Sequence, residues 1–162
     1  MNGKERVNLS KVIEKMNLVN LTPDIDVKGI WIHVPEFNRP ALQLTGFYDQ
    51  FDNDRIQIIG NVEYSYLKSL SETERYERYM QLLSSNIPCL IFCRNLEPEA
   101  EIIELAKKYQ IPILKSEEST SSFSAEVIRW LKVQLAPCIV IHGAARKLPE
   151  PATKNTAVWI SE

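Results

Sequence analysis

Short apolar segments alternate with longer amphipathic segments along most of this 162-residue chain, and no other feature restricts its fold as much. The patterns predict strands at residues 18–21, 30–34, 56–59, 90–93, 111–114 and 139–141. Helical patterns of roughly 10–17 residues separate most of them, and two parallel strands require a crossover of that length. We therefore expect a three-layer α/β/α domain with a mainly parallel sheet of five or six strands.

The helix boundaries follow from capping residues and from apolar residues spaced three and four apart. Asn38 is predicted to cap a helix that has an Arg-Pro pair in its first turn and ends at Gly46. Ser71, with Glu74 three residues later, gives the capping-box pattern at the start of another helix. The remaining helices are expected at residues 9–16, 61–70, 98–109 and 119–135.

The sequence changes in character after Gly143. Residues 144–155 contain two prolines and no hydrophobic periodicity, which is typical of a linker or tail. Residues 156–160 are weakly β-like, so we expect at most an edge strand there. We accordingly assign residues 1–143 to the domain and residues 144–162 to a linker or tail.

Composition excludes several classes of function but identifies no activity. Nineteen basic against 21 acidic residues give a net charge of −2, which leaves no positive excess for binding nucleic acid or anionic membranes. The apolar runs are far shorter than the ~20 residues of a membrane-spanning helix. Three cysteines cannot all pair, and Cys89 and Cys93 lie in one apolar run. We expect a reduced, cytoplasmic protein whose thiols pack in the core.

The usual phosphate-binding and metal-binding patterns are missing from the sequence. Its five glycines are too far apart for a phosphate-binding loop, which needs glycines so that backbone amides can approach the phosphate. Cys89 and Cys93 would stand ~13 Å apart on one strand, too far to share a zinc ion. We therefore predict no metal site, no cofactor in this chain and no catalytic residue.

Three arginines lie next to predicted strand ends, and ligands of open α/β sheets commonly bind near the carboxyl ends of strands. Arg39, Arg55 and Arg94 are therefore the candidate anion-binding residues, because a guanidinium group holds phosphates and carboxylates with paired hydrogen bonds. The competing interpretation for Arg94 is an ion pair with an acidic loop residue such as Glu97 or Asp54.

The helix predicted at residues 71–84 lies near several tyrosines, which are common anchors of protein interfaces. The tyrosines in question are Tyr64, Tyr66, Tyr76 and Tyr79. The alternative is that the many charges of this helix simply form a solvated face.

Several segments together resemble, in order and spacing, the N-terminal domain of the HPr kinase/phosphorylase family. They are residues 39–47 (RPALQLTGF), 55–60 (RIQIIG, with Glu63), 88–98 (PCLIFCRNLEP), 111–114 (IPIL), Thr120 with Phe123, and 135–143 (LAP followed by IHG). The resemblance covers about residues 9–143. One departure is Ala41, because the family often has a glycine after its Arg-Pro pair.

The resemblance implies a bacterial enzyme that phosphorylates and dephosphorylates a serine of the phosphocarrier HPr, in carbon catabolite regulation. In the family, the His-Gly pair is followed by a P-loop domain that binds ATP or pyrophosphate with magnesium, and residues 144–162 match none of it. We therefore expect ATP and magnesium only for that other domain. This chain is expected to be a non-catalytic assembly or regulatory domain whose partners are the catalytic domain, further copies of itself and, indirectly, HPr.

A second possibility is a stand-alone sensor of small anions or nucleotides. The fold implied by the resemblance is similar to that of the uridine-nucleotide-binding N-terminal domains of the Mur ligases. The candidate ligand residues for this function are again Arg39, Arg55 and Arg94.

Overall fold

The computed structural model describes residues 5–141 and 144–147. The strands of this part are β1 (Val7–Asn8), β2 (Val19–Asn20), β3 (Trp31–Ile32), β4 (Phe37–Asn38), β5 (Ile56–Ile59), β6 (Leu90–Phe92), β7 (Ile113–Lys115), β8 (Cys138–Ile141) and β9 (Ala144–Lys147). The α-helices are α1 (Leu9–Lys15), α2 (Ala41–Leu44), α3 (Asn61–Ser69), α4 (Glu72–Leu83), α5 (Ala100–Tyr109) and α6 (Thr120–Gln134). No helix of this part is long and apolar enough to cross a membrane.

The central sheet has five strands in the order β2-β7-β6-β5-β4. Strands β4 to β7 are mutually parallel, and β2 pairs with β7 in the antiparallel direction. The register places Ile58 opposite Ile91, and Ile91 opposite Leu114. The predicted mainly parallel sheet of a three-layer α/β/α domain is thereby confirmed.

Side chains alternate between the two faces of the sheet, and each face has its own apolar core. Ile58, Ile91 and Leu114 pack against one set of helices, whereas Ile59 and Phe92 pack against the other. The first core contains residues of α1 and α6, and the second contains residues of α2, α3, α4 and α5. A sheet covered on both faces explains why its strands are apolar at nearly every position.

The helix starts follow the capping signals of the sequence. Ser71 Oγ accepts the Glu74 amide hydrogen at 3.1 Å, and the Glu74 carboxylate accepts from the Ser71 amide, so the predicted capping box begins α4. Ser119 caps α6 by accepting from the Ser122 amide at 3.2 Å. These bonds satisfy backbone donors that the first turn of a helix otherwise leaves free.

The prediction for Asn38 was wrong. Asn38 belongs to strand β4, and Pro40 occupies the capping position of α2, which is only four residues long. The Asn38 side chain instead donates to Gln57 Oε1 at 2.7 Å. Gln57 is fully buried, so it needs such a partner. The tertiary contact outweighs the local capping preference.

Two predicted strands lie outside the central sheet. Of residues 30–34, only Trp31 and Ile32 are in a strand, and this strand pairs with β1 in a separate antiparallel sheet. Strand β8 pairs with β9 rather than with the central sheet. Residues 144–147, which were expected to be part of an irregular tail, therefore form a strand. An apolar run predicts extended backbone but does not specify which strand will pair with it.

Two further predictions fall wholly or partly outside the described residues. The edge strand expected at residues 156–160 is one of them. The other is the domain boundary at Gly143, together with most of the predicted tail.

Candidate functional site at the carboxyl edge of the sheet

The parallel strands bring four loops to the carboxyl edge of the sheet. Arg39 follows β4, Gly60 follows β5, and Cys93 and Arg94 follow β6. The loop after β7 leads to Thr120 at the start of α6. Residues distant in sequence therefore meet here, and this edge is where open α/β sheets commonly bind ligands.

A buried carboxylate occupies the centre of this edge. Glu63 is only 3% exposed, and its Oε1 accepts the Gly60 amide hydrogen at 2.8 Å. The same oxygen accepts from Arg39 Nη2 at 2.8 Å. Glu63 reaches Gly60 because it is the third residue of α3, the position from which a side chain can turn back to the cap. The ion pair thus ties the end of β4 to the start of α3.

Gly60 is required for steric reasons rather than for backbone strain. A β-carbon at this position would lie 2.5 Å from Thr120 Oγ1 and 2.6 Å from Arg39 Nη2. The backbone φ of −114° is accessible to any residue. The Arg39 guanidinium and the Thr120 hydroxyl therefore both pack directly against the glycine.

The Cys93 thiol lies behind this contact and is fully buried. Burial raises the pKa of Cys93 to about 12, although the Arg39 guanidinium and the Thr120 hydroxyl favour its anion. A thiol that stays protonated is a poor nucleophile and a poor metal ligand. The Thr120 hydroxyl oxygen is itself buried and forms no hydrogen bond of ordinary length and angle among the described residues, and the Cys93 thiol is its polar neighbour.

The loop after β6 is held in an uncommon backbone conformation. Arg94 and Asn95 are consecutive left-handed residues with φ of 59° and 56°. Their amides donate to Glu118 O and Ser116 O, both at 2.7 Å, which ties this loop to the loop before α6. Left-handed residues other than glycine cost about 1–3 kcal/mol each unless their surroundings hold them. The two bonds supply that constraint.

Comparison with known proteins identifies the family to which this arrangement belongs. Residues 7–131 match the family described as HPr Serine kinase N terminus. The chain belongs to this family. Relatives named HPr kinase/phosphorylase from Lachnoclostridium phytofermentans and Alkaliphilus metalliredigens are 53% and 40% identical over 137 residues, which is 85% of this chain. The chain spans about 44% of the length of each of these two relatives.

A solved structure shows a similar fold. It contains the CBS and DRTGG domains of the regulatory region of Clostridium perfringens pyrophosphatase, complexed with the activator diadenosine tetraphosphate. The match covers 75% of this chain and 46% of that chain, with a TM-score of 0.50 and 17% sequence identity. Identity this low shows a shared fold and carries no information about ligands.

In this member of the HPr serine kinase N-terminal family, the three candidate arginines do not surround one point. Arg39 and Arg94 lie at the carboxyl edge, whereas Arg55 precedes β5 and so lies at the amino edge. Arg55 pairs with Asp52 at 3.1 Å and donates to Phe37 O at 3.4 Å. Because all strands from β4 to β7 point the same way, a residue before a strand and a residue after one lie on opposite edges.

The ion pair considered for Arg94 is not formed. Its side chain is exposed, and within the described part of the chain it pairs with neither Glu97 nor Asp54. Glu97 is bound instead by Lys115, with 2.7 Å between carboxylate oxygen and ammonium nitrogen. Arg94 is therefore an exposed cation at the carboxyl edge.

Two other predictions concern thiols and tyrosines. Cys89 and Cys93 flank β6 as free, buried residues, so their predicted core role is confirmed.

Tyr79, proposed as an interface anchor, is fully buried and donates to Glu99 Oε1 at 2.8 Å. Tyr76, three residues earlier, is 42% exposed. The second apolar core covers Tyr79, whereas the neighbouring Tyr76 lies beyond the edge of that core and stays in solvent.

Sequence reasoning missed the two residues that complete the edge. Glu63 was noted only as part of the family pattern, and Thr120 only as a helix start. The three-residue spacing from Gly60 to Glu63 is a capping signal that was available in the sequence. The approach of Thr120 to Gly60 had no local signal, because 60 positions separate the two residues.

The edge is arranged to hold a negative charge, and the protein supplies that charge itself. Glu63 accepts from both the Gly60 amide and Arg39, which together would suit a phosphate oxygen. No group of three or more histidine, cysteine or acidic side chains in the described residues is placed to hold a metal ion. The chemistry of this edge is therefore that of a closed internal ion pair with one exposed arginine beside it.

Proposed function

We propose that this chain is the non-catalytic assembly and regulatory domain of an HPr kinase/phosphorylase. Such an enzyme uses ATP or pyrophosphate to phosphorylate and dephosphorylate HPr and acts in bacterial carbon catabolite regulation. The observation that carries the proposal is the family match over residues 7–131. The proposed partners are the catalytic domain of the parent enzyme and further copies of this chain, and the proposed location is the cytoplasm.

The geometry of the carboxyl edge supports a role other than phosphoryl transfer. The amide of Gly60, which in a nucleotide-binding loop would face a phosphate, is bound by Glu63. Phosphoryl transfer also needs a metal-holding group and a base placed against the acceptor hydroxyl. The thiol nearest the edge is kept protonated by burial, since its pKa is raised to about 12.

A domain exchange tests the proposal. The matching segment of the HPr kinase/phosphorylase of Lachnoclostridium phytofermentans is replaced by this chain, and a second variant lacks the segment altogether. We expect the exchanged enzyme to assemble and to respond to effectors as its parent does. The shortened enzyme should lose assembly or regulation but keep phosphoryl transfer. This chain alone, mixed with ATP, magnesium and HPr, should give no phosphoserine.

Two outcomes would contradict the proposal. One is phosphoserine formation by this chain alone at a rate comparable to that of the parent enzyme. The other is an exchanged enzyme indistinguishable from the shortened enzyme in sedimentation and in effector response.

A sensor of small anions is the second candidate function, and the exposed Arg94 favours it. Its guanidinium stands at the carboxyl edge beside Asn95, in a loop held in the left-handed conformation. Arg39 on the same edge is 37% exposed, so an incoming anion would have to compete with Glu63 for it.

Calorimetry with pyrophosphate, sugar phosphates and uridine nucleotides tests the sensor function. Binding should be lost in Arg94→Gln and kept in Arg55→Gln; no heat at millimolar ligand would dismiss the sensor.

A further inference from the structure

A groove lies on the outer side of α4, next to the first turn of α5. Its volume is about 420 Å³, and it is lined by Glu72, Thr73, Tyr76, Glu77, Met80 and Glu101. Only Glu101 comes from α5. The groove is therefore built mainly from one face of a single helix, along which residues spaced four apart lie in a row.

Two of the residues that line the groove, Tyr76 and Met80, offer mainly apolar surface. Tyr76 is 42% exposed and is one of the few large hydrophobic side chains that the described residues leave in solvent. Met80 lies one turn further along α4 and is half-buried. Large exposed apolar side chains that line a groove with polar walls mark interaction sites more often than isolated ones do.

Three carboxylates also line the groove, and two of them have no cation bound within the described residues. Glu72 and Glu77 are exposed and form no ion pair within the described residues. Glu101 is bound by Arg75 Nε at 2.6 Å. Arg75 Nε is also 3.8 Å from the carboxylate of Glu99, the residue before α5, so this guanidinium is already engaged by two carboxylates.

We propose that this groove docks a basic segment of a partner protein through an arginine side chain. A guanidinium stacked on the Tyr76 ring would lie between the carboxylates of Glu72 and Glu77. Arginine fits better than a compact ammonium group, because its flat guanidinium stacks on aromatic rings and bonds a carboxylate at the same time. The glutamates of the groove offer negative charge and Tyr76 offers an aromatic face, so charge and shape select the same kind of side chain.

This surface is independent of the carboxyl edge. The groove residues belong to α4 and α5, and Arg39, Glu63 and Arg94 do not contribute to it. The proposal therefore stands or falls separately from the proposed regulatory function.

The test uses the full chain and a blocked tri-arginine peptide, with the tri-citrulline peptide as its uncharged counterpart. Amide chemical shifts followed by two-dimensional NMR report both the affinity and the place of binding. We expect saturable shifts centred on Tyr76 and Met80 with tri-arginine and none with tri-citrulline. The dissociation constant should rise with salt, because the pairing is electrostatic and exposed.

Three variants separate groove binding from general attraction to acidic surfaces. Glu72→Gln with Glu77→Gln should weaken binding by about 5–10-fold. Glu14→Gln with Glu117→Gln removes the same charge from α1 and from the loop before α6, and should change binding less than 2-fold. Tyr76→Ala should weaken binding by about 3-fold, whereas Tyr76→Phe keeps the aromatic face and should bind nearly normally.

The proposal is overturned if the two double variants bind the peptide equally. It is also overturned if the shifts are spread over all acidic surfaces, or if Tyr76→Ala and Tyr76→Phe behave alike. Both tyrosine substitutions lie on the surface of α4 and should leave the fold intact. A native-like amide spectrum of each variant checks this.

Discussion

The carboxyl edge of the sheet and the outer face of α4 differ in whether their glutamate carboxylates are bound within the protein. At the edge, Glu63 is buried and bound by both Gly60 and Arg39. On α4, Glu72 and Glu77 are exposed beside an exposed Tyr76. A charge that is satisfied internally stabilises the fold, whereas an unpaired charge beside an apolar ring remains available to a partner. The following predictions test this contrast.

The largest expected effect is a loss of stability at alkaline pH that is caused by the two buried thiols. Burial raises the pKa of both Cys89 and Cys93 to about 12, whereas a thiol in the unfolded chain titrates near pH 8.5. Between these values the unfolded state loses protons first, so the free energy of unfolding falls as pH rises above about 8.5. By pH 10 the loss should be about 2 kcal/mol for each thiol.

Urea denaturation of the wild type and of Cys93→Ala from pH 7 to pH 10 measures this effect. The alanine variant should lose about half of the pH dependence that the two thiols cause, whatever its stability at pH 7. An unchanged pH dependence would mean that the Cys93 thiol is accessible and that the carboxyl edge is open.

Glu63→Ala should give the largest effect of a charge removal. It leaves the Gly60 amide without its acceptor and Arg39 without its partner. We expect the free energy of unfolding to fall by about 2–3 kcal/mol, below the range for fully buried pairs because Arg39 is 37% exposed. Denaturation in urea, followed by circular dichroism, measures it. The matched control is Glu117→Ala, an exposed glutamate; similar losses in the two variants would refute the internal role of Glu63.

Thr120→Val should stabilise the fold. The Thr120 hydroxyl is buried without an ordinary hydrogen bond among the described residues, and its polar neighbour is only the weakly polar Cys93 thiol, whereas valine has nearly the same shape. We expect a gain of up to about 1 kcal/mol in the free energy of unfolding, since a buried polar group that forms no hydrogen bond is destabilising. Thermal denaturation detects the gain, and Thr45→Val, whose hydroxyl donates to Leu42 O, serves as comparison. A loss of stability would show that the hydroxyl has a partner.

Removing the two charges of the α4 groove should have the smallest effect on stability. Glu72→Gln with Glu77→Gln leaves every described ion pair intact, so the free energy of unfolding should change by less than about 0.5 kcal/mol. The same urea experiment checks this. A loss above 1 kcal/mol would mean that these glutamates support the fold, which would remove the contrast between the two regions.

Much of the fold was predictable because its signals are local. The apolar runs at β5, β6 and β7, the Ser71–Glu74 capping box and the Ser119 cap all appear where the sequence indicates them. The core role of Cys89 and Cys93 followed from their apolar neighbours. Arg39 and Arg94 were correctly expected next to strand ends.

The errors concern residues whose state depends on distant partners. Asn38 was predicted as a helix cap. Its side-chain amide instead donates to the buried Gln57 on the neighbouring strand, and Asn38 belongs to β4. Arg55 was grouped with Arg39 and Arg94, although the direction of β5 places it on the opposite edge. Tyr79 was one of the candidate interface anchors, but packing buries it in the second core.

The sequence by itself determined the alternation of strands and helices, the starts of α4 and α6 and the family, because each depends on residues a few positions apart or on their order. Only the tertiary structure decided that Arg39 pairs with Glu63 and that Thr120 meets Gly60. The reason is that the parallel sheet aligns loops far apart in the chain, and the partners of a buried charge are fixed by that alignment.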